Sequence, residues 1–299
     1  MPKTARTLPA DWAAFVYNLV MVGLWLAVVR RAPHAPWLAA AHGAGLALPW
    51  LFARLEARPR SGWYLLRELY PLLLVAAFWI ELDLVRPALD LVGIDAQVSA
   101  LDQFLFGLHL HEVWLPRMSA VWISEVMHLF YYLYYPSIYV PVIALAIMGR
   151  ETAIRDMTFR LLVTYLACYV VYIAFPVDGP HVLMQHTQGP HTQGFFYRLV
   201  EAAQRVGESR GCSFPSSHVA GATTIAYLAW RWLPRWVAVV LTVEAIGVLL
   251  STAYTQHHYF VDSVAGLAWG LILNLALAGP LWRLAGGGRA TGVPAPNPG

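Results

Sequence analysis

The chain has 299 residues, of which 59% are hydrophobic and 12% are charged, and its mean hydropathy is +0.53. Because an ordinary soluble domain has about 25% charged residues, this composition excludes that class, together with disordered, collagen-like and coiled-coil chains. The formal net charge is +3, the 20 lysine and arginine residues are scattered and there are two cysteines, so we expect neither a nucleic-acid partner nor a disulfide framework.

Apolar runs follow one another along most of the chain. A helix needs about 20 residues to cross a hydrocarbon core of about 30 Å, and the candidate runs of this length lie at 12–29, 36–53, 64–84, 121–148, 158–175, 216–233, 236–255 and 260–282. The sequence therefore predicts an all-α integral membrane protein with about eight transmembrane helices. The first run follows Lys3 and Arg6 as in a signal peptide, but we see no convincing cleavage site and expect a retained anchor.

Positive charge predicts the orientation of these spans. With the N-terminus in the cytoplasm, most of the lysine and arginine residues fall on the inner side, as the positive-inside rule requires. We therefore expect both termini in the cytoplasm of a bacterium, in its inner membrane. Two long segments, 85–120 and 176–215, would then lie on the outer, periplasmic side.

Each outer segment has its own pattern. In the first, apolar residues at helical spacing from Ile94 to Leu105 predict an interfacial helix that ends at Gly107, with Asp102 on the opposite face. The second contains three histidines five residues apart, which share no helix face and have no Cys or Glu beside them, so we expect a solvated loop and no metal site. These histidines are His181, His186 and His191.

Titratable groups inside apolar spans are costly, so each is a candidate functional residue. His258 and Asp262 differ from the rest because they are four residues apart on one predicted helix, where the carboxylate can accept a hydrogen bond from the imidazole. We predict a catalytic histidine held by an orienting carboxylate. His257, five residues from Asp262, points elsewhere. The other intramembrane groups are Glu81, Asp83, Glu125, His128 and Glu244, with His42 a weaker candidate.

A second histidine, His218, ends the segment Cys212–His218 immediately before the sixth span. Proline and serine are helix-start residues, so we expect free backbone N–H groups at Ser216 and Ser217 that form an anion site. The 40 residues between His218 and His258 are enough for one span down and one back. Both histidines should therefore lie at the same membrane face.

This set of residues suits phosphoryl transfer through a phosphohistidine. His258 would attack phosphorus, Asp262 would stabilise the cationic imidazole, and His218 would protonate the leaving oxygen and then activate the acceptor. Hydroxyl and backbone donors at Ser216 and Ser217 would stabilise the phosphoryl oxygens. The chemistry requires no metal and no cofactor.

The two motifs resemble those of the type-2 phosphatidic acid phosphatase superfamily. Phe214–His218 is similar to its Pro-Ser-Gly-His motif, and Ser251–Asp262 is similar to its Ser-Arg-x5-His-x3-Asp motif. The residues of both motifs are most similar to those of the branch that includes the inositol phosphorylceramide and sphingomyelin synthases. The resemblance implies a six-helix catalytic core over 64–282 and the roles given above to the two histidines and the aspartate. It leaves a two-span extension, 1–63, and a disordered tail, 283–299.

Three departures from the family pattern concern phosphate binding. The Lys-x6-Arg-Pro motif is missing, since Trp79 stands where the lysine belongs ahead of Arg86; Thr252 replaces an arginine, and Ser217 replaces a glycine. These losses argue against an ordinary phosphatase and fit the synthase-like branch. Arg210 is the nearest candidate for a replacement cation, with Arg198, Arg117 and His181 as further candidates.

Other polar residues near the outer face are candidates for substrate contact. Glu125, His128 and Tyr135 belong to the fourth span, and His181 follows the fifth. The Glu-x-x-His spacing of the first two can bind metal, but a di-metal bundle needs a second copy, which we do not find. Two interpretations fit these residues. They form either a patch that receives a headgroup or an acceptor hydroxyl, or an aromatic belt with one interhelical hydrogen bond.

Together these patterns predict a metal-independent enzyme that acts on a phosphate ester or anhydride of a membrane lipid at the outer face. A specific alternative is transfer of a phospho-headgroup to a ceramide- or diacylglycerol-like alcohol. A second alternative is a proton-coupled transporter that uses the intramembrane acids, although no inverted repeat supports it. The expected partners are the lipid phosphate and the bilayer, and the oligomeric state is left open.

Overall fold

The computed structural model describes residues 7–54, 62–185, 188–207 and 209–287. Lys3, Arg6, His186 and most of the predicted tail lie outside the described residues. Within the described ranges the regular structure is helical, with one isolated parallel bridge between Val177 and Cys212. The predicted all-α class is confirmed.

The helices are α1 (Pro9–Ala27), α2 (Ala35–Gly45), α3 (Leu48–Ala53), α4 (Gly62–Ala88), α5 (Asp95–Phe106), α6 (Leu110–Arg117), α7 (Val121–Ile147), α8 (Glu151–Ala174), α9 (Pro180–Leu183), α10 (Phe195–Gly207), α11 (Ser217–Trp232), α12 (Arg235–Tyr254), α13 (Phe260–Ile272) and α14 (Ala278–Leu284). A 3-10 turn (Pro190–Gln193) precedes α10, and a π turn (Leu273–Leu277) joins α13 to α14.

Several of these helices are long and apolar enough to cross a membrane, so the chain is a membrane protein. In the described residues they are α1, α7, α8, α12 and the continuous run Phe260–Leu284, and each coincides with a predicted span. Of the other predicted spans, α4 has 27 residues but carries several charges, and α11 has 16 residues, which rise about 24 Å. The count of eight spans remains a prediction.

The second predicted span, 36–53, is wrong as a single helix. The chain forms α2 and α3 there, and α2 ends at Gly45. Pro49, at the start of α3, has no N–H to continue a helical hydrogen-bond ladder. A Cβ at Gly45 would lie 2.5 Å from Oδ1 of Asn18, so the glycine at the end of α2 lets α1 and α2 approach closely.

Buried polar contacts attach α1 and α2 to the rest of the bundle. Asp11 of α1 accepts hydrogen bonds from Arg67 at 2.6 Å and from Tyr70 at 2.5 Å, and His42 of α2 contacts Glu81 at 2.7 Å. Side chains of both helices also belong to the main hydrophobic core. The predicted extension therefore packs directly on α4 and α8.

Close packing of α11 on α13 brings the two predicted motifs together. A Cβ at Gly270 would lie 2.8 Å from the carbonyl oxygen of Ala220, and a Cβ at Gly266 would collide with the carbonyl of Ser216. Small residues permit such backbone contact between helices in a membrane. The start of α11 therefore rests against the first turns of α13.

The predicted interfacial helix forms as α5, and Gly107 ends it in the left-handed conformation with φ 72°. Leu101 and Leu105 are exposed, as a helix that lies on lipid requires. Asp102 is fully buried on the other side, because its carboxylate accepts the backbone N–H of Val261 at the start of α13.

Candidate active site

The turn between α12 and α13 carries His258. The expectation that His258 and Asp262 share one helix is wrong, because α13 begins at Phe260 and Tyr259 is its N-cap. Asp262 lies in the first helical turn, and its Oδ2 accepts the backbone N–H of Tyr259 at 3.0 Å. The Asp262 carboxylate therefore fixes the helix start directly beside the histidine.

Ser213 lies between the histidine and the carboxylate. Its hydroxyl donates to Oδ2 of Asp262 at 2.6 Å and lies 2.9 Å from Nδ1 of His258. The direct separation from Nδ1 to Oδ2 is 3.4 Å, longer than a good hydrogen bond. The expected contact between His258 and Asp262 is therefore made through a serine, which the motif comparison did not select.

These contacts assign the tautomer of His258. Because the Ser213 hydroxyl gives its proton to Asp262, it accepts the proton of Nδ1, and Nε2 keeps its lone pair. Nε2 faces the hydroxyl of Ser216 at 3.2 Å. The nucleophilic nitrogen of His258 thus points toward the start of α11.

The start of α11 differs from its prediction in one respect. Ser216 is the N-cap, and its side chain accepts the N–H of Val219. The expected free N–H groups are wrong, because the N–H of Ser216 donates to the carbonyl of Asp262 at 3.0 Å and that of Ser217 donates to the Tyr172 hydroxyl at 3.0 Å. These two amides join α11 to α13 and α8, whereas the Ser216 hydroxyl lies 3.2 Å from Nε2 of His258.

His218 lies opposite His258, with the ring centroids 5.9 Å apart and the planes at 67°. Three tyrosines of α7 surround its ring, with Tyr134 at 4.4 Å, Tyr131 at 4.9 Å and Tyr135 at 5.9 Å between centroids. Nε2 of His218 is buried and has no hydrogen-bond partner among the described residues. A buried imidazole nitrogen without a partner is available for proton transfer with a substrate.

A loop after α8 covers the serine. Ser213 donates its N–H to the carbonyl of Val177 at 2.8 Å, so the two segments run side by side. Gly179 has φ 82°, and a Cβ there would lie 2.7 Å from the Ser213 hydroxyl and 2.8 Å from the carbonyl oxygen of His257. Only glycine allows this approach, which shields the Ser213 hydroxyl from water.

One face of α4 holds the segment that leads to the motif. Trp79 donates its indole N–H to the carbonyl of Gly207 at 2.6 Å, Asp83 accepts the N–H of Arg210 at 3.1 Å, and Arg86 forms an ion pair with Asp178. Positions 79, 83 and 86 follow helical spacing. Trp79, which stands where the motif has a lysine, therefore holds the segment that leads to Cys212–His218.

Arg210 does not reach the two histidines. Its side chain is exposed, and in the described part of the chain it forms a shallow recess with Arg86, Tyr172 and Cys212. Arg198 donates to carbonyls of its own segment, at Gly194 and Gln193. Among the described residues neither arginine contacts His218 or His258, so a phosphate-binding role for Arg210 stays a prediction.

A polar recess opens beside the histidine pair. Its walls are Leu115, His128, His181, His191, Tyr197, Glu201, Thr255 and Gln256. The ring of His181 stacks on His257 at 4.2 Å, and Tyr131 contacts both His257, at 4.7 Å, and His218. The predicted substrate residues His128 and His181 therefore lie together, separated from the catalytic pair by His257 and Tyr131.

Glu125, a candidate for substrate contact, holds the start of a helix. Its carboxylate accepts the N–H groups of Phe196, at 2.9 Å, and Tyr197, at 3.4 Å, and so caps the start of α10. His128 hydrogen-bonds to the carbonyl of Ser124 at 2.8 Å. Among the described residues, Glu125 and His128 belong to none of the clusters with metal-ligand spacing.

Titration of the groups outside the spans follows from burial. Burial, followed by the neighbouring imidazoles of His181 and His258, lowers the pKa of His257 well below its usual 6.5. Burial, followed by the charges of Asp83 and Asp178, raises the pKa of Cys212 above its ordinary value of 9.0. At neutral pH both groups are therefore uncharged beside the active site.

Comparison with known proteins gives two matches. A family model described as the PAP2 superfamily matches residues 96–276. A PA-phosphatase related-family protein of Dictyostelium discoideum is 29% identical over 109 residues, which cover 35% of this chain and 20% of the relative. The chain thus spans about a fifth of the length of that relative. No solved structure matches the chain.

Proposed function

Because the chain belongs to the PAP2 superfamily, we propose that it is a membrane enzyme that cleaves or transfers a lipid phosphate ester or anhydride through a phosphohistidine at His258. The observation that carries this proposal is that the two ring nitrogens of His258 have different roles. Nδ1 is tied through Ser213 to Asp262, and Nε2 has a lone pair toward the start of α11. A histidine held in this way is an activated nucleophile.

The reaction divides into two steps. In the first, Nε2 of His258 forms a bond to phosphorus while the bond to the leaving oxygen breaks, and His218 donates a proton to that oxygen. In the second, His218 removes the proton of an acceptor hydroxyl, whose oxygen displaces phosphorus from Nε2. The ring separation of 5.9 Å supports one phosphoryl group between the two imidazoles.

The supporting groups stabilise charge in both steps. As Nε2 bonds to phosphorus the imidazole becomes cationic, and Asp262 stabilises that charge through Ser213. The Ser216 hydroxyl, 3.2 Å from Nε2, would turn from the histidine to a phosphoryl oxygen when substrate enters. Because protein side chains supply each of these roles, the proposed reaction places no metal at the reacting atoms.

The membrane setting supports a lipid substrate. The two motifs lie at the ends of apolar helices, at the same end of the bundle as the interfacial helix α5. A headgroup at the interface would reach the histidines while its acyl chains stay in the bilayer. We place this end on the outer side of the membrane, following the distribution of lysine and arginine in the sequence.

Transfer to an alcohol is the finer proposal, and the enclosure of the site favours it over hydrolysis. His258 is 5% exposed and Asp262 is 0% exposed, so bulk water has little access to the phosphohistidine. The polar recess beside His257 offers hydroxyl, amide and imidazole groups to an acceptor. The acceptor class we propose is a ceramide- or diacylglycerol-like alcohol.

The experiment is turnover by the purified protein in lipid vesicles. Lipid monophosphates and phosphodiesters are supplied with and without ceramide or diacylglycerol, and both free phosphate and new phospholipid are measured. Free phosphate alone would identify a phosphatase, and new phospholipid that depends on the acceptor would identify a transferase. His258→Ala should abolish either activity. His34 is an exposed histidine at the N-cap of α2, and His34→Ala should leave the activity unchanged.

Two results would contradict the proposal. Turnover that survives His258→Ala would exclude a phosphohistidine at this residue. A folded protein that turns over none of these lipids would return the proton-coupled transporter, with Glu244 as its buried acid, to consideration. Proton uptake by vesicles that contain the wild-type protein would then test that alternative.

A further inference from the structure

Three side chains of the types that bind metals lie together behind the catalytic turn, on α5 and at the start of α6. Asp102, His109 and His111 each offer one donor atom, and these atoms lie within 4.8 Å of one another. The cluster uses none of the residues assigned to phosphoryl transfer. Its position is set by Asp102, which is fully buried against α13.

The two oxygens of Asp102 have different neighbours. Oδ1 accepts the backbone N–H of Val261 at 2.8 Å, and Oδ2 faces Nδ1 of His109 at 3.3 Å. Charge-assisted hydrogen bonds are shorter, at about 2.7–2.9 Å. Donor atoms that bind one tetrahedral zinc at about 2.0–2.1 Å lie about 3.4 Å apart. The 3.3 Å separation of Oδ2 from Nδ1 of His109 is thus long for a hydrogen bond and also matches the spacing of two ligands of one metal.

His111 supplies the independent observation. Its side chain is 2% exposed, and within the part of the chain that the structure describes Nδ1 has no hydrogen-bond partner. A buried polar atom without a partner is destabilising and requires an explanation. The rings of His109 and His111 are 5.3 Å apart and inclined at 49°, and one nitrogen of each lies within 4.8 Å of the other and of an oxygen of Asp102.

The other cluster with similar spacing is less suitable. It consists of His181, Glu201 and His257, within the polar recess. Its two imidazoles are stacked at 4.2 Å with planes 13° apart, and parallel stacked rings cannot both direct their in-plane lone pairs at one ion between them. Binding there would require the stack beside His258 to open.

We propose that Asp102, His109 and His111 bind a divalent transition metal of the Zn²⁺ type. Two imidazoles and a carboxylate form a common zinc donor set that leaves a fourth position for water. The side chain of His109 is 24% exposed and provides the route from solvent. The hydrogen bond from Val261 to the second oxygen of Asp102 holds the ligand in orientation, as outer-shell contacts do in metal sites.

The metal would brace the catalytic turn without touching the substrate. Asp102 would link it to the N-terminus of α13, whose first turn contains Asp262, and the ring of His111 contacts Tyr259, next to His258, at 5.2 Å. The site therefore stabilises the position of the nucleophile. It does not depend on the identity of the lipid or on the proposed reaction.

The test is metal binding by the purified full-length protein, with any affinity tag removed. After treatment with a chelator, Co²⁺ is titrated while the visible absorption of four-coordinate cobalt is recorded, Zn²⁺ is used to displace it, and bound zinc is counted by elemental analysis. We expect one metal per chain. His109→Ala should weaken binding by at least about 10-fold, and Asp102→Asn, which keeps an acceptor for Val261, should do the same.

His181→Ala is the matched control, because it removes a ligand of the stacked cluster only. It should leave cobalt binding unchanged, and gel filtration and thermal unfolding in detergent should show that each variant is folded. Absence of bound metal in the folded wild type would overturn the proposal, and so would binding that survives His109→Ala but is lost in His181→Ala. Turnover is not part of this readout, so the failure of the lipid reaction and of the metal site can be distinguished.

Discussion

The hydroxyl of Ser213 lies 2.9 Å from Nδ1 of His258, at the point where a carboxylate would directly contact a catalytic histidine. The same hydroxyl donates a hydrogen bond of 2.6 Å to the carboxylate of Asp262. Asp262 also accepts the N–H of Tyr259. The serine therefore transmits the charge of Asp262 to the imidazole, while Asp262 holds the start of α13.

Ser213→Ala tests this arrangement. Without the hydroxyl, Nδ1 and Oδ2 stay about 3.4 Å apart, so the imidazole loses its orienting acceptor and the cation that forms on it is less stabilised. We expect kcat to fall about 10- to 100-fold with KM nearly unchanged. Ser213→Thr keeps the hydroxyl and should recover part of kcat. Equal kcat for Ser213→Ala and the wild type would exclude the serine from the site.

His218→Ala separates the two proposed steps. A phosphate ester with a good leaving group, such as p-nitrophenyl phosphate, needs no proton from His218 to form the phosphohistidine, but the acceptor still needs a base. The variant should release a burst of p-nitrophenol and accumulate a phosphoenzyme that is stable to alkali and labile to acid. His258→Ala should show neither the burst nor the phosphoenzyme. A burst in His258→Ala would move the nucleophile to another residue.

Arg86 and Asp178 should behave as one positioning unit. Their ion pair links α4 to the loop over Ser213, and Asp178 also accepts the N–H of Gly211 at 2.9 Å. Arg86→Gln and Asp178→Asn should each lower kcat about 10-fold, and the double variant should be no worse than the poorer single one. Additive losses would instead give Arg86 a separate contact with the phosphate. Arg205→Gln, at an exposed position of α10, is the control.

Hydropathy and motif spacing were sufficient to predict the helical class and to bring His218 and His258 together. Span lengths set both results, because a chain that crosses twice returns its motifs to one face. The spacing could not show that α13 starts after His258, since that boundary depends on the capping of Tyr259 and Asp262. An offset of four residues predicts a contact only when both residues are helical.

Ser213 and Arg210 illustrate the limit for side chains. Ser213 lies inside the segment Cys212–His218, but only its pairing with the loop at Val177 directs the hydroxyl toward His258. Arg210 was the nearest cation in sequence, yet Asp83 holds its backbone along α4 and its side chain remains exposed. Both outcomes depend on contacts between distant parts of the chain, which local pattern does not contain.

Cys212 should be unreactive in the folded protein. Burial, followed by the charges of Asp83 and Asp178, raises the pKa of its thiol, so the reactive thiolate is scarce at neutral pH. In a Cys168→Ser background, maleimide labelling of Cys212 should be slow in detergent and fast after denaturation. Rapid labelling of the native protein would contradict this burial.

The raised pKa of Cys212 also predicts how the stability of the protein changes at alkaline pH. The unfolded chain loses the Cys212 proton as pH rises through 9.0, whereas the folded protein retains it. The stabilisation from this group is therefore complete below pH 9.0 and is lost as pH rises further. Cys212→Ser, which does not titrate there, should show a smaller alkaline decrease in Tm than the wild type. If the alkaline decrease in Tm were the same in Cys212→Ser and the wild type, groups other than Cys212 would cause it.

The contact between His42 and Glu81 gives the N-terminal helices a specific attachment. His42 Nε2 lies 2.7 Å from Glu81 Oε2, its Nδ1 lies 2.8 Å from Oδ1 of Asn18, and Trp25 donates its indole N–H to Glu81. His42 and Glu81 are 5% and 6% exposed. Glu81 lies on α4 between Trp79 and Asp83, which hold the segment leading to the active site.

His42→Leu should therefore destabilise the whole protein. The change leaves the Glu81 carboxyl group buried without the ring of His42, and losing the partner of a buried polar group costs about 1–3 kcal/mol. Replacing that carboxyl group as well, in His42→Leu with Glu81→Leu, should recover much of the lost Tm, because replacing both polar partners by apolar groups can be nearly neutral. Thermal unfolding in detergent measures both. A double variant less stable than His42→Leu would contradict this expectation, and would show that Glu81 stabilises the fold through its other contact, with Trp25.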